Sequence, residues 1–134
     1  MLFSKFEIPE KFIVYKTALT FVFTNLRPVL PGHLLICPIR RVQHYHDMTD
    51  EERADLLAVA DHAREIMRKI IGSEAMQVTL QDGPEAGQTV PHVHIHIIPR
   101  NLPTIWKPPQ QQPDDEREAV TTLYRTEFLK EMGL

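Results

Sequence analysis

Residues 92–98 read His-Val-His-Ile-His-Ile-Ile, and no other stretch restricts the fold as tightly. Successive side chains of a β-strand point to opposite faces, so a strand here sets His92, His94 and His96 on one face and Val93, Ile95 and Ile97 on the other. The aliphatic face calls for a hydrophobic layer. The imidazole face calls for polar partners, because each ring placed in an apolar core loses its hydration. Three readings of the row follow: hydrogen-bonded core histidines, a metal site, or a surface for a polyanion. For a metal, His92 and His96 have Cα atoms roughly 13 Å apart at ~3.3 Å per residue, so three rings in line do not converge on one ion. Two of them would need a carboxylate or histidine from elsewhere. For a polyanion, imidazole titrates near neutrality, and a neutral ring nitrogen can attack phosphorus to form a covalent intermediate. Protonated neighbours would then stabilise charge on the phosphoryl oxygens. Gly87, Gln88 and Thr89 precede the row and offer backbone and side-chain donors to phosphate.

The rest of the chain supplies a sheet for that strand. Residues 11–17 and 18–25 are rich in β-branched and aromatic residues and predict two strands. In the second, Leu19, Phe21, Phe23 and Asn25 share a face, so Asn25 ends an apolar row. A Pro- and Gly-containing turn over 27–32 leads to a third strand, 33–39, beginning at His33. Pro38 suits the end of that strand. Thr49 and Glu52 form a capping box for a helix over 49–72, with Leu56, Leu57, Ala60, Ala63, Met67, Ile70 and Ile71 at helical spacing and Gly72 as its C-terminal stop. Residues 75–81 alternate as a fourth strand, with Gln81 on its polar face, and 92–98 form the fifth, stopped by Pro99. The proline- and glutamine-rich stretch 101–115 reads as a mobile surface loop, and 116–132 as a closing helix carrying Val120, Leu123, Tyr124, Phe128 and Met132. The expectation is one α+β domain over residues 1–134: an antiparallel five-stranded sheet with one long helix on a face and a C-terminal helix.

Composition narrows the function classes. Fifteen Lys and Arg against eighteen Asp and Glu give a net charge of −3, which argues against a nucleic-acid partner. The single cysteine, Cys37, excludes an internal disulfide framework. The longest apolar run, Leu34 to Ile39, is far short of a membrane span, and the N-terminal residues lack an apolar signal region. A cytoplasmic protein without membrane association is expected.

The motif His92-x-His94-x-His96-x-x, with apolar x, resembles that of the histidine triad superfamily. The longer run from Gln81 through Asp-Gly-Pro-Glu-Ala-Gly-Gln-Thr-Val-Pro to His92, continuing to Arg100, is similar to the fragile histidine triad branch of dinucleoside triphosphate hydrolases. Arg27-Pro-Val-Leu-Pro-Gly-His33 resembles that branch's other signature, and the likeness covers about residues 10–100. The resemblance implies a homodimer with a continuous sheet and cleavage of a dinucleoside polyphosphate, diadenosine triphosphate giving AMP and ADP. His94 would be the nucleophile, forming a nucleotidyl-histidine that water hydrolyses. The carbonyl of His92 would hold the other ring nitrogen of His94, and His96 and His33 would complete the network. Asn25 would contact ribose, Gln81, Gln88 and Thr89 phosphate, and Phe3, Phe6 and Leu2 the base. No tightly bound cofactor or metal is implied; Mg²⁺ would accompany the substrate. Other readings of the same residues are a general nucleoside phosphoramidase and a nucleotide-binding signalling module with incidental turnover. The 81–89 block favours the hydrolase. After Arg100 the match stops, and no tyrosine precedes Tyr124 in the loop region.

The remaining reactive side chains read as structural. His44 and His46 are expected in a solvated loop, His62 on a helix surface and Cys37 as an inert buried thiol. Arg40 and Arg41 read as a solvated strand end, and Trp106 as packing or base stacking.

Overall fold

A computed structural model of the chain describes residues 1–100 and 109–133. Seven strands and two helices follow in the order β1 (Leu2–Phe3), β2 (Phe6–Glu7), β3 (Ile13–Lys16), β4 (Thr20–Thr24), β5 (Leu34–Pro38), α1 (Asp50–Ile71), β6 (Ala75–Leu80), β7 (Ile95–Arg100) and α2 (Asp114–Met132). Strands β3 to β7 form one antiparallel five-stranded sheet in the order β3-β4-β5-β7-β6, so the α+β reading holds. The short β1–β2 hairpin is a separate two-stranded ribbon that the sequence pattern did not indicate.

Side-chain alternation sorts the sheet into two layers. Val14, Val22, Leu34, Ile36, Ile95 and Ile97 face α1 and α2 in the main core, together with Leu56, Ala63 and Met67 of α1 and Tyr124 and Phe128 of α2. Ile13, Phe21, Phe23, Leu35 and Cys37 face the opposite way, where Phe3, Ile8 and Phe12 of the N-terminal segment cover them. The apolar row of Phe21 and Phe23 is therefore a second core. Helix α1 starts at the expected capping box, with Thr49 and Glu52 bonded reciprocally, and stops at Gly72 in the left-handed conformation.

Several boundaries differ from the sequence reading. The fifth strand begins at Ile95, not His92, and runs through Pro99 to Arg100. Pro99 is tolerated because β5 pairs with β7 from Ile95 to Ile97 and not at Pro99, so β5 does not need the missing N–H. Gly32 faces Pro99 there: at φ +90° a Cβ would lie 2.9 Å from the proline ring, which glycine avoids. Helix α2 starts at Asp114, so the last two residues of the expected loop 101–115 are helical. Residues 109–113 are irregular, while 101–108, including Trp106, lie outside the described residues. Leu57 and Leu123, expected on the apolar sides of their helices, are about half exposed, at 48% and 53%, and so is Val78 of β6 at 50%.

Candidate active site

The imidazole row is built differently from a strand face. His92 and Val93 leave the sheet: the His92 N–H turns back to the Val90 carbonyl, and the Val93 N–H donates to the Val42 carbonyl. Main-chain groups then fix the ring of His92, which is fully buried. Its Nδ1 accepts the Ser4 N–H at 2.8 Å, so Nε2 carries the proton and donates to the Pro38 carbonyl at 2.8 Å. Ser4 reaches it from a left-handed backbone (φ 55°) at the tip of the β1–β2 hairpin.

His94 Nδ1 lies 2.7 Å from the His92 carbonyl and must donate to it. Its Nε2 therefore holds a lone pair. The His94 ring meets Phe3 edge-on at 5.1 Å and His96 edge-on at 4.9 Å. In the same way the Val29 N–H donates to His33 Nδ1 (3.0 Å), leaving His33 Nε2–H to donate to His96 Nδ1 (2.9 Å). His96 Nε2 is then protonated and available as a donor. Asn25 joins the network through its main-chain N–H, which donates to the His33 carbonyl, and its side-chain amide nitrogen lies 3.2 Å from His33 Nε2.

No carboxylate touches these rings among the described residues, and burial dominates their electrostatics. His33 is drawn down to about 3 and His96 to about 4 by desolvation, with neighbouring imidazoles and, for His33, Arg100 adding repulsion. His92 and His94 are lowered by the same desolvation, partly offset by their carbonyl partners. These lowered values favour neutral rings in the ligand-free chain, so protonated neighbours are an expectation for the phosphate-bound state.

The expected phosphate-contacting residues sit apart from this network. Gln88 is buried, its Oε1 accepting the Gly83 N–H and its amide donating to the Gln43 carbonyl. That side chain clasps the loop after β6 to the segment before α1. Gln81 lies over Gly87, where a Cβ would come within 2.5 Å of its amide nitrogen, and Thr89 is exposed. Among the described residues no hydrogen bond joins Gln81, Gln88 or Thr89 to the histidines, and no group of three or more His, Cys, Asp or Glu is arranged to hold a metal.

Beside Asn25 opens a cavity of about 510 Å³ whose apolar wall includes Phe3, Phe6, Ile8, Phe23, Leu26 and Leu35. Leu2 lies outside its lining. Ser4, the carbonyl of Pro38 and Arg117, which also lines the cavity, carried no motif that sequence reasoning could use.

The residues set aside keep structural surroundings, with two differences. Arg40 forks onto Glu52, tying the end of β5 to the start of α1 and holding the Glu52 carboxyl at about 2. His44 reaches Asp82 at 3.2 Å and stacks on His46. His62 is exposed, and burial pushes the Cys37 thiol up.

A family model described as HIT domain matches residues 5–102. A nitrilase and fragile histidine triad fusion protein of Caenorhabditis elegans is 48% identical over 98 residues, 73% of this chain and 22% of that protein. A bis(5'-adenosyl)-triphosphatase of Dictyostelium discoideum is 44% identical over 73% of this chain and 66% of its own length. The chain spans about half of other curated relatives, 48% to 54%. A crystal structure of Plasmodium falciparum diadenosine triphosphate hydrolase in complex with cyclomarin A superposes with a TM-score of 0.88 at 32% identity, covering 97% of this chain and 84% of that one.

Proposed function

Because this chain belongs to the HIT-domain family, within its fragile histidine triad branch, we propose that it hydrolyses dinucleoside polyphosphates, cleaving diadenosine triphosphate to AMP and ADP. The observation that carries the reading is the tautomer of His94: its Nδ1–H is committed to the His92 carbonyl, which leaves the Nε2 lone pair as nucleophile. That lone pair forms a P–N bond to the α-phosphorus as the bond to the bridging oxygen breaks and ADP leaves with its electron pair. Positive charge on the substituted ring is spread to Nδ1–H, which already faces a carbonyl oxygen. Water then attacks the same phosphorus, the P–N bond breaks and AMP leaves. His96, oriented by His33, presents Nε2–H towards the phosphoryl oxygens.

Asn25 would hold ribose and the adjoining apolar cavity a nucleobase, with Phe3 and Phe6 on its wall. Gln81 and Thr89 remain candidates for phosphate; Gln88 would serve by holding their loop. Mg²⁺ would arrive on the polyphosphate, since a hard cation prefers phosphate oxygens and water to imidazole. The assembly is read as a cytoplasmic homodimer, with residues 1–134 forming one domain of each subunit. β6 supports the dimer as an edge strand with Val78 exposed beside Leu57; the lone cysteine supports the location.

The test incubates the protein with diadenosine triphosphate, diadenosine tetraphosphate and an adenosine phosphoramidate and identifies the products. AMP and ADP from the triphosphate are expected, with label from [α-³²P]-substrate trapped on protein after acid-free quenching. His94→Ala should lower the rate at least about a thousandfold, as loss of a covalent nucleophile does elsewhere. A variant that keeps more than about a tenth of the wild-type rate would overturn the assignment, because no intermediate could then be required.

A further inference from the structure

Arg117 lies outside the residues matched by the family model, on α2, yet it reaches the site. It is 5% exposed, its guanidinium lies 3.9 Å from the Phe12 ring centroid, and it forks onto one residue. Nε donates to Thr24 Oγ1 at 3.2 Å and Nη2 to the Thr24 carbonyl at 2.7 Å. The hydroxyls complete a closed circuit: Thr121 Oγ1 donates to the Arg117 carbonyl at 2.7 Å and lies 3.0 Å from Thr24 Oγ1, which therefore donates to it.

The location is unfavourable for a cation. Burial draws its pKa down to about 10, against a weaker opposing pull from Asp114, and the first turns of α2 are the positive end of the helix dipole. An apolar side chain of similar volume would avoid these costs. What such a side chain lacks is the planar fork, which fixes two acceptors at once.

Those acceptors belong to the last residue of β4, and the next residue is Asn25. From there the contacts run to His33 and on to His96. We propose that Arg117 is a positioning residue for nucleotide hydrolysis, its fork anchoring α2 on Thr24 and thereby fixing the backbone from which Asn25 meets His33 and the bound nucleotide. The inference rests on the reading of Asn25 and His33 as parts of a nucleotide site.

Arg117→Lys keeps the charge and removes the fork. In the ligand-free variant, ¹⁵N resonances of the His33 and His96 rings should move while those of His92 and His94 stay in place. KM for diadenosine triphosphate should rise about tenfold and kcat fall less than about threefold, the pattern of lost ground-state positioning. Resonances unmoved, or moved with KM unchanged, would overturn the proposal, and a wild-type KM would assign the role to charge or packing. If Arg117→Lys does not fold by circular dichroism, Thr24→Val removes the Oγ1 acceptor at nearly constant shape, and the same readings decide. The ring spectra need no turnover. Failure of the wild type to cleave substrate would therefore overturn the hydrolase reading separately.

Discussion

Main-chain groups choose the tautomers of three of the four site histidines: Ser4 N–H and the Pro38 carbonyl for His92, the His92 carbonyl for His94, and Val29 N–H for His33. A carboxylate partner would raise a ring's pKa; neutral main-chain partners leave desolvation dominant, and all four values are lowered. A bound phosphate reverses the balance by favouring the charged ring. Binding of AMP at pH 6 should therefore take up protons, visible as a binding enthalpy that changes with the ionisation enthalpy of the buffer. No uptake would mean that the phosphate sits away from the rings. The same shifts set an acid sensitivity. With His33 at about 3 and His96 at about 4 against ~6.5 unfolded, the unfolded chain binds more protons between those values, so stability rises with pH there and is lost on acidification from about 6.5 downward. The urea midpoint should already fall between pH 6.5 and 5, before ordinary carboxylates titrate.

At the scale of elements, α1 was readable because its signals are local. Thr49 accepts the Glu52 N–H at 3.1 Å, and Glu52 accepts the Thr49 N–H at 2.8 Å. Thr49→Ala removes the first of these bonds and should cost about 1 kcal/mol, measured as a lower urea midpoint with an unchanged slope. An unaffected midpoint would mean that Glu52, held by Arg40, caps the helix alone. The fifth strand was less readable. The alternation through His92 and His94 looks like a strand, yet His92 and Val93 are bent out of the ladder by bonds to the Val90 and Val42 carbonyls. Pro99 looks like a stop, yet β7 continues past it where β5 no longer pairs. Such outcomes depend on which strand lies alongside, and local pattern does not carry that information.

For the whole molecule, the open question of assembly turns on β6. Among the described residues it pairs only with β7, and its exposed Val78 lies beside Leu57 and Tyr45 in a shallow apolar depression. An uncovered apolar edge invites a second strand. Light scattering at micromolar concentration should give a mass near twice 15.5 kDa, and Val78→Glu should shift it to the monomer value. A monomeric wild type would remove the dimer from the proposal.

The sequence by itself determined the α+β class, the long capped helix and the histidine row, because each rests on spacing or on neighbours within a few residues. Only the tertiary structure decided which lone pairs are free. The tautomer of His92 depends on Ser4, 88 positions away, and on Pro38, 54 positions away; that of His33 feeds His96 across 63. It also placed Arg117 against Thr24, 93 positions apart, and set the buried Gln88 side chain between Gly83 and Gln43. A donor's role is set by whichever acceptor the folded chain brings within 3 Å, and sequence spacing does not encode that distance.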